Sequence, residues 1–188
     1  MALSANEIRL ENVRLAFPKL WTPEPFTGGT DPTPYFSATF LLPKNHPQLK
    51  QLEALMVKLA TEKWGVKGAQ VLKGAKAIGK VFLRDGDLKA EYEGFEGNMF
   101  VSARSKTRPT TFDGMRNTVS EADGVIYGGC YVNAIISCFA YSKGNNGLAA
   151  GLKGVQFRAP GEAFSGGGTP AGSDDFDEIS VEQDPLTA

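Results

Sequence analysis

The residues that could perform catalysis in this chain are few, and their spacing does not fit a catalytic site. Residues 74–81 (Gly-Ala-Lys-Ala-Ile-Gly-Lys-Val) nearly match a phosphate-binding loop, but Val81 stands where a Ser or Thr would hold Mg²⁺. Four carboxylates flank a turn next to Lys89, where a metal-dependent nuclease could hold its ions: Asp85, Asp87, Glu91 and Glu93. Acidic side chains beside a turn are usually solvated, so we expect a surface loop here.

The single histidine and the two cysteines offer little for nucleophilic or metal chemistry. His46 lies in the turn Pro-Lys-Asn-His-Pro, between a predicted strand and a predicted helix, which favours a structural role. Cys130 and Cys138 share the apolar side of a predicted strand, so we expect buried, inert thiols. One His and two Cys exclude a disulfide scaffold and a zinc site built from these residues alone. The sequence therefore predicts a protein that is not an enzyme and that needs no cofactor or metal.

Binding signals are stronger than catalytic ones. A protein that binds single-stranded nucleic acid without sequence preference needs a positive groove for phosphates and exposed rings on which bases stack. The basic residues that we expect to contact phosphates are Arg104, Lys106, Arg108, Arg116, Lys143 and Lys153. The rings that we expect to stack on bases are Tyr131, Phe139, Tyr141, Phe112 and Trp21. For any single ring the alternative is that it packs in the core.

Charge divides the chain into a basic body and an acidic end. The 188 residues carry a formal net charge of −1, but residues 1–161 hold 20 basic and 14 acidic side chains. Residues 162–188 hold seven acidic side chains and no Lys or Arg. A basic body suggests a nucleic acid or another polyanion as partner. The residues that we expect to act in the tail are Asp174, Asp175, Phe176, Asp177, Glu178 and Ile179.

The acidic tail has three interpretations. It could recruit partner proteins, it could compete with nucleic acid for the basic groove, or it could simply keep the protein in solution. Residues 165–173 are rich in Gly and Ser, which predicts a flexible linker, and the acidic run beyond them has too few apolar residues to fold alone.

Most of the predicted elements are strands. Alternating apolar residues predict strands over 8–17 (with a bulge at 11–12), 35–42, 80–84, 98–104, 130–141 and 151–158. In 98–104 we expect Phe100, Ser102 and Arg104 to face outward, and in 35–42 the face opposite Ala38 and Phe40 carries Tyr35, Ser37, Thr39 and Leu41. The one helix, over about 47–63, begins near Asn45 and ends near Gly65. Five prolines predict a loop over 18–34, and 105–118 is predicted to be a polar loop.

These elements predict a mainly β protein with one domain, residues 1–164, followed by a disordered tail, residues 165–188. Its fold would be an OB-fold-like, five-stranded Greek-key barrel with one main helix. No apolar run approaches the 18 residues or so of a membrane span, and the first residues do not form a secretory signal. We therefore expect no membrane association and a reducing cytoplasm.

Several blocks of the chain resemble the bacteriophage single-stranded DNA-binding proteins. The most specific is Gly-Cys-Tyr-Val-Asn-Ala at 129–134, within 126–136, and others are Phe139-Ala-Tyr, 147–157 and 161–164. The opening strand, followed by Pro18 and Trp21, and residues 35–43 are also similar, so the likeness runs from about residue 7 to 164. The resemblance implies an OB-fold, sequence-independent binding of single-stranded DNA (ssDNA) and an acidic tail like those of replication proteins. It also implies a role in phage replication or recombination, in the cytoplasm of the host cell.

The sequence thus predicts a phage-type protein that protects ssDNA during replication, recombination or repair. Its expected partners are ssDNA and, through the tail, replication or recombination proteins, and a homo-oligomer or a cooperative assembly on DNA stays open. One alternative is a protein-interaction or assembly factor whose basic body meets an acidic partner. A metal-dependent nuclease is the other.

Overall fold

The computed structural model describes residues 2–25 and 30–164 of the chain. The tail residues named above therefore lie outside the described part. In chain order the strands and α-helices are β1 Glu7–Pro25, β2 Pro34–Pro43, α1 Leu49–Trp64, α2 Gly68–Ala77, β3 Leu83–Asp85, β4 Asn98–Ser105, β5 Thr110–Phe112, β6 Tyr131–Tyr141 and β7 Gly147–Ala159. Short 3₁₀ helices occupy Gly65–Lys67, Gly86–Lys89 and Glu121–Asp123.

Five of the strands close into a barrel. The sheet order is β3-β4-β2-β1-β6-β7-β5, and a parallel pairing of Arg104 in β4 with Gly151 in β7 joins the two sides. The barrel is therefore built from β1, β2, β4, β7 and β6, with antiparallel neighbours everywhere except at that closure. This confirms the predicted mainly β, five-stranded OB-type barrel.

The barrel interior follows the alternation that the sequence predicts. Ala38, Phe40 and Leu42 of β2 are buried, and alternate residues of β6 from Val132 to Cys138 are buried with them. Side chains of a strand alternate between its two faces, so the intervening residues point outward. Both cysteines are buried, as predicted, and burial raises the pKa of the Cys138 thiol to about 12.

The predicted main helix, α1, covers the barrel together with a shorter second helix, α2. Apolar residues of α1 (Leu52, Met56 and Leu59) and Leu72 of α2 join the barrel core. The predicted helix is confirmed within two residues and ends at Gly65, whose φ is +60°. Its N-cap is Gln48 and not Asn45 as predicted, because residues 43–48 form a turn in which the His46 backbone N–H already bonds to the Pro43 carbonyl. The second helix was not predicted, because three of its residues are Gly or β-branched and only two of its side chains, those of Leu72 and Ala75, form its apolar face.

Two stretches that were predicted to be loops contain strands: β5, Thr110–Phe112, lies within 105–118, and β1 extends into 18–34. β1 continues to Pro25, through a stretch predicted to be a loop, with register shifts on both sides of Lys19. Prolines are tolerated there because strand irregularities leave positions that need no ladder hydrogen bond. The dipeptide Asp85-Gly86 is typical of a tight hairpin turn, but here twelve residues, 86–97, connect β3 to β4. No helix of the described residues is long and apolar enough to cross a membrane.

Candidate nucleic-acid interface

An open groove of about 440 Å³ lies on the outer face of β2 and β4. β1 contributes Phe17, Lys19, Glu24 and Pro25, β2 contributes Tyr35, Ser37 and Thr39, and β4 contributes Phe100, Ser102 and Arg104. The remaining lining comes from β3 and the connection after it, with Arg84, Lys89, Tyr92 and Phe95. In an OB-fold the face of the second and third barrel strands is where oligonucleotides bind, and those strands here are β2 and β4.

Strand register explains why these side chains meet. Ser37 pairs with Arg104 and Thr39 with Ser102 across β2 and β4. Because the residues between them point into the barrel, these pairs point out of it together. The sequence predicted this outward face for both strands but could not supply the register that sets one beside the other.

The floor of the groove is a second apolar cluster, separate from the barrel core. Phe95 and Phe100 are buried there with Ala16 and Leu41, and Phe164 packs against them. The ring centroids of Phe95 and Phe100 are 5.1 Å apart. Phe100 therefore points outward from β4, as predicted, yet is covered by the residues 86–97 connection.

Two rings rise from this floor into solvent. Phe17 is 51% exposed and Tyr92 is 42% exposed, and their rings meet edge to face with centroids 5.3 Å apart. Phe17 has a φ of +48°, a left-handed conformation that a bulky residue rarely adopts. It occupies the register shift between Ala16 and Lys19, which turns its side chain out of the sheet. Such strain persists where the surroundings hold it, and it often marks a binding site.

Two arginines lie over rings of the groove. The Arg84 guanidinium carbon is 4.7 Å from the Phe100 ring centroid, and that of Arg104 is 4.5 Å from the Tyr35 centroid. Arg84 donates one hydrogen bond, to Ser102 Oγ at 3.2 Å, while its Nε is buried without a partner. Burial lowers the pKa of Arg84. Neither arginine forms a salt bridge with a described residue, so both keep donors for a ligand.

The charge of the groove is positive. Lys19 pairs with Glu24 at 2.8 Å, but Glu24 is the only carboxylate among the lining residues that the structure describes. Just outside, hydrogen bonds from Thr33 hold the pKa of Asp31 below its usual value, and the charges of Lys106 and Arg104 lower it further. The groove thus combines aromatic faces with unpaired guanidinium groups, which suits a ligand with flat rings and anionic groups.

Comparison with known proteins gives the family. The family model described as the ssDNA-binding protein of Enterobacter phage Enc34 matches residues 6–186. The chain belongs to this family. The resemblance to bacteriophage single-stranded DNA-binding proteins is thereby confirmed.

Similar proteins come from several phages. The p50 protein of Acyrthosiphon pisum secondary endosymbiont phage 1 is 38% identical over 186 residues, which cover 97% of this chain and 99% of p50. The Enc34 single-stranded DNA-binding protein, solved in complex with ssDNA, matches with a TM-score of 0.71 and 26% identity over 86% of this chain and 90% of that one. gp2.5, the single-stranded DNA-binding protein of bacteriophage T7, shares the fold, with a TM-score of 0.56 at 11% identity over 94% of this chain and all of gp2.5.

Among the basic residues expected from the sequence, the groove of this Enc34-family chain contains one, Arg104. Lys106 and Arg108 lie in the loop directly after β4, and Arg116 is exposed in the turn after β5, with a φ of +69°. Lys143 lies in the hairpin turn between β6 and β7. Lys153 is exposed on β7 and forms an ion pair with Glu7 of β1, so its charge is already partnered.

None of the five rings expected to stack lines the groove, and they lie at separate places on the protein. Phe112 shares a shallow depression with Arg108, and Tyr131 lines a separate pocket with Arg14 and Arg158. Phe139 is exposed on β6, and the Tyr141 hydroxyl lies against the backbone of Gly147. Trp21 packs against the barrel core, and its indole Nε1 is buried without a partner.

Sequence reasoning missed most of the groove. The missed residues are Phe17, Tyr35, Arg84, Lys89, Tyr92 and Phe95. Tyr35 lay on the predicted outer face of its strand, so its signal was present but was given no weight. Tyr92 and Phe95 alternate with Glu91, Glu93 and Glu96. Because the stretch is acidic, the sequence predicted a solvated loop and gave its two rings no role.

Two of the four acidic residues considered as nuclease ligands, Asp85 and Asp87, have other partners. Lys44 forms ion pairs with Asp85, at 3.3 Å, and with Asp87. The Gly97 backbone N–H donates to Asp87 at 2.7 Å. These carboxylates therefore fix the residues 86–97 connection, which carries Tyr92 and Phe95 to the groove.

Proposed function

We propose that this chain binds single-stranded DNA without sequence preference in the groove on β2 and β4. The observation that carries the proposal is the union, in one groove, of two exposed rings and two arginines that lack acidic partners. The ssDNA-complexed Enc34 protein, at 26% identity, supports it. Bases stack on the rings and phosphates bind the cations, so the groove offers a partner to both the base and the phosphate of a nucleotide.

The rings on which the bases stack are those of Phe17, Tyr92 and Tyr35. Every base has a flat face, so stacking on these rings gives affinity with little preference for sequence. Tyr35 carries Arg104 on one side, and a base on its free side would extend that stack. Phe17 and Tyr92 are already held edge to face, so little side-chain entropy is lost on binding.

Arg84 and Arg104 contact the phosphates, and Lys106, in the loop directly after β4, contacts the next phosphate. Neutralising phosphates releases counterions, so affinity falls steeply as salt rises. Beyond the groove, a DNA strand that runs along the loop after β4 reaches Arg108, Phe112 and Arg116. Lys143, in the turn between β6 and β7, belongs to the loop that an OB-fold commonly uses as the second edge of its site.

In the cell this protein acts by binding alone, without catalysis. It coats and protects ssDNA during phage replication, recombination or repair in the host cytoplasm. Its acidic tail then recruits replication or recombination proteins or competes for the groove. The pairing of Asp85 and Asp87 with Lys44 argues against the nuclease alternative, since a metal site would need those carboxylates free.

The deciding experiment removes the two exposed rings. We expect Phe17→Ala with Tyr92→Ala to weaken binding of a fluorescent oligo-dT, followed by anisotropy, by about 2 kcal/mol or more, roughly 30-fold. The matched control is Phe139→Ala, because Phe139 is 49% exposed but lies outside the groove. It should bind as tightly as wild type.

Three outcomes would contradict the proposal. Unchanged affinity in the double variant, with thermal unfolding showing an intact fold, would show that ssDNA does not stack on these two rings of the groove. Absence of oligo-dT binding by wild type at physiological salt would favour the protein-interaction factor. Cleavage of the labelled DNA on adding Mg²⁺ or Mn²⁺ would favour the nuclease.

A further inference from the structure

The outer face of the barrel carries a second depression, of about 590 Å³, beside the groove. Along β2, the outward residues Ser37 and Thr39 line the groove, and the next two outward residues, Leu41 and Pro43, line the depression. β4 has the same order, because Asn98 lines the depression and the outward residues after it line the groove. The two sites therefore follow one another along the same strands and on the same face.

The first of two guanidinium groups in this depression, which we call the arginine pocket, belongs to Arg14 of β1. Arg14 is half-buried and held in place: its Nε donates to the Gly129 carbonyl at 3.1 Å, and its Nη2 donates to the Glu162 carbonyl at 2.6 Å. Its guanidinium carbon lies 4.2 Å from the centroid of the Phe164 ring. These partners carry no negative charge, so Arg14 is fixed in position without being neutralised, and its other N–H donors remain for a ligand.

The second guanidinium group, that of Arg158, reaches the arginine pocket through an irregularity in β7. Tyr131 pairs with Ala159 and Val132 pairs with Phe157, so Arg158 has no partner on β6 and occupies a bulge. Arg158 is exposed and lines the pocket. It forms neither an ion pair nor a hydrogen bond with a residue that the structure describes.

The charge of the arginine pocket fits a phosphate at the end of a DNA strand. Glu11 is the only carboxylate among its described lining residues, and it pairs with Arg9 at 2.9 Å. Neither Arg14 nor Arg158 forms a salt bridge within the described part of the chain. A phosphodiester inside a strand carries one negative charge, whereas a phosphomonoester carries about −1.5 to −2 at pH 7. Two guanidinium groups without a counter-charge match the phosphomonoester better.

The rest of the arginine pocket suits the nucleotide that carries such a phosphate. Tyr131 lines it with a half-buried ring, on which a base can stack. Asn12 and Asn45 line it too, and their side-chain amides form no hydrogen bond with a described residue. Asn12 has a φ of +55° at the bulge of β1, a conformation that Asn adopts more readily than most residues.

A turn limits the arginine pocket on the side away from the groove. The chain turns after Pro43, and residues 45–48 line the pocket there. His46 ties this turn to β1: its Nδ1 accepts from the Gln48 backbone N–H at 3.1 Å, so its Nε2 carries the hydrogen and donates to the Glu11 carbonyl at 2.8 Å. A strand that leaves the groove along this face meets the turn, so the pocket is placed to hold its end.

We propose that the arginine pocket binds the terminal phosphate and terminal nucleotide of a DNA strand that lies in the groove. The inference rests on the proposed function, because the groove holds the rest of the strand. The two ends of a strand differ chemically, and one orientation in the groove brings only one of them to the pocket. The protein then prefers phosphorylated ends of one polarity, in addition to binding ssDNA without sequence preference.

The test compares three forms of one short oligo-dT that carries its fluorophore internally: with no terminal phosphate, with a 5′-phosphate and with a 3′-phosphate. In fluorescence anisotropy we expect one of the two phosphates to tighten binding roughly tenfold and the other to have no effect. Arg158→Gln should abolish that gain and still bind the unphosphorylated oligo-dT as wild type does. The matched control is Lys73→Gln, which removes one exposed charge on α2, outside both sites, and should keep the gain.

Thermal unfolding of both variants verifies that they fold. Equal affinity of wild type for all three oligonucleotides would overturn the inference, and so would equal gains from the two phosphates, which indicate a general effect of charge. A gain that survives Arg158→Gln, or one that Lys73→Gln also removes, would place the phosphate elsewhere. Wild type that binds none of the oligonucleotides would overturn the proposed function as well, whereas binding without a phosphate gain would overturn this inference alone.

Discussion

Arg84 shows how a single residue can favour binding at the expense of the unliganded fold. Its guanidinium is half-buried over Phe100, and a buried Nε without a partner is costly. Desolvation, which lowers its pKa, indicates the same unfavourable environment. A phosphate in the groove would pair with the guanidinium charge of Arg84, so part of the desolvation cost in the free protein would be offset in the complex.

We therefore predict that Arg84→Met separates stability from binding. Met keeps the apolar contact with Phe100 and removes the unpaired donor. The free energy of unfolding should stay the same or rise by about 1 kcal/mol in urea denaturation. Affinity for oligo-dT should fall, and the plot of log affinity against log salt should become shallower by about 0.7.

Arg9→Met is the control for Arg84→Met, because Arg9 is exposed and pairs with Glu11 away from the groove. It should change neither the salt slope nor the affinity. If Arg84→Met lowered stability while leaving the salt slope intact, Arg84 would be a structural residue and not a phosphate ligand.

At the scale of elements, the connection formed by residues 86–97 supplies two of the rings of the groove, Tyr92 and Phe95. Asp87 fixes it through the Gly97 N–H and through the ion pair with Lys44, the residue directly after β2. These bonds lower the pKa of Asp87, the Gly97 hydrogen bond having the larger effect and Lys44 the next. The connection therefore depends on an ionised carboxylate.

The sign of the resulting pH dependence follows. A carboxylate whose pKa is lower in the folded state stabilises the fold above its unfolded pKa, near pH 4, and loses that contribution as pH falls through the folded pKa. We predict that Asp87→Asn lowers the free energy of unfolding at pH 7 and flattens its decline between pH 6 and pH 3. Urea denaturation at several pH values measures both. Glu96→Gln, an exposed carboxylate in the same connection, should keep the wild-type pH profile.

The packing of α2 on α1 depends on one glycine. A Cβ at Gly68 would lie 2.8 Å from the Ala60 carbonyl oxygen, whereas a Cβ at Gly74 in the same helix would meet nothing within 4 Å. We predict that Gly68→Ala destabilises the protein by about 1–3 kcal/mol through overpacking, while Gly74→Ala stabilises it by about 0.5–1 kcal/mol through helix propensity. Thermal unfolding of both variants is the measurement. Equal effects would mean that the helices do not approach closely at Gly68.

How much of the fold follows from sequence depends on whether local pattern decides an element. The strands around Phe40 and Ala134 and the helix around Met56 were predictable because their buried faces repeat with the period of the element. α2 was not, because its stability comes from packing on α1 rather than from its own residues. The groove was predictable only in part: Arg104 was found from its strand face, but the neighbours it meets are set by register and by a long connection.

At the scale of the whole molecule, the distribution of charge separates two surfaces. The groove is positive through a few arginines that lack acidic partners among the described residues, whereas the helical layer, residues 49–80, carries seven lysines and two glutamates. The end of the chain after residue 161 has the opposite charge. Through space, such a charge opposes the approach of any polyanion, and by contact it can occupy a basic surface.

The last prediction isolates the effect through space. Changing the six carboxylates at 174, 175, 177, 178, 182 and 184 to their amides gives a tail-neutral chain of unchanged length, whose formal net charge is +5 rather than −1. Charge acts over about 30 Å at 0.01 M salt but over about 8 Å at 0.15 M. We therefore expect the tail-neutral chain to bind a short oligo-dT roughly tenfold more tightly than wild type at 0.01 M salt, with the advantage largely lost at 0.15 M.

Fluorescence anisotropy at nanomolar protein measures this affinity while keeping copies too dilute to contact one another. The control Phe176→Ser with Ile179→Ser keeps every charge and should bind as wild type does at both salts. Deleting residues 165–188 should reproduce the tail-neutral result, since it removes the same six carboxylates. A tail-neutral chain that bound no more tightly at low salt would show that the acidic end acts only by contact, and an advantage that persisted at 0.15 M would show that it occupies the groove directly.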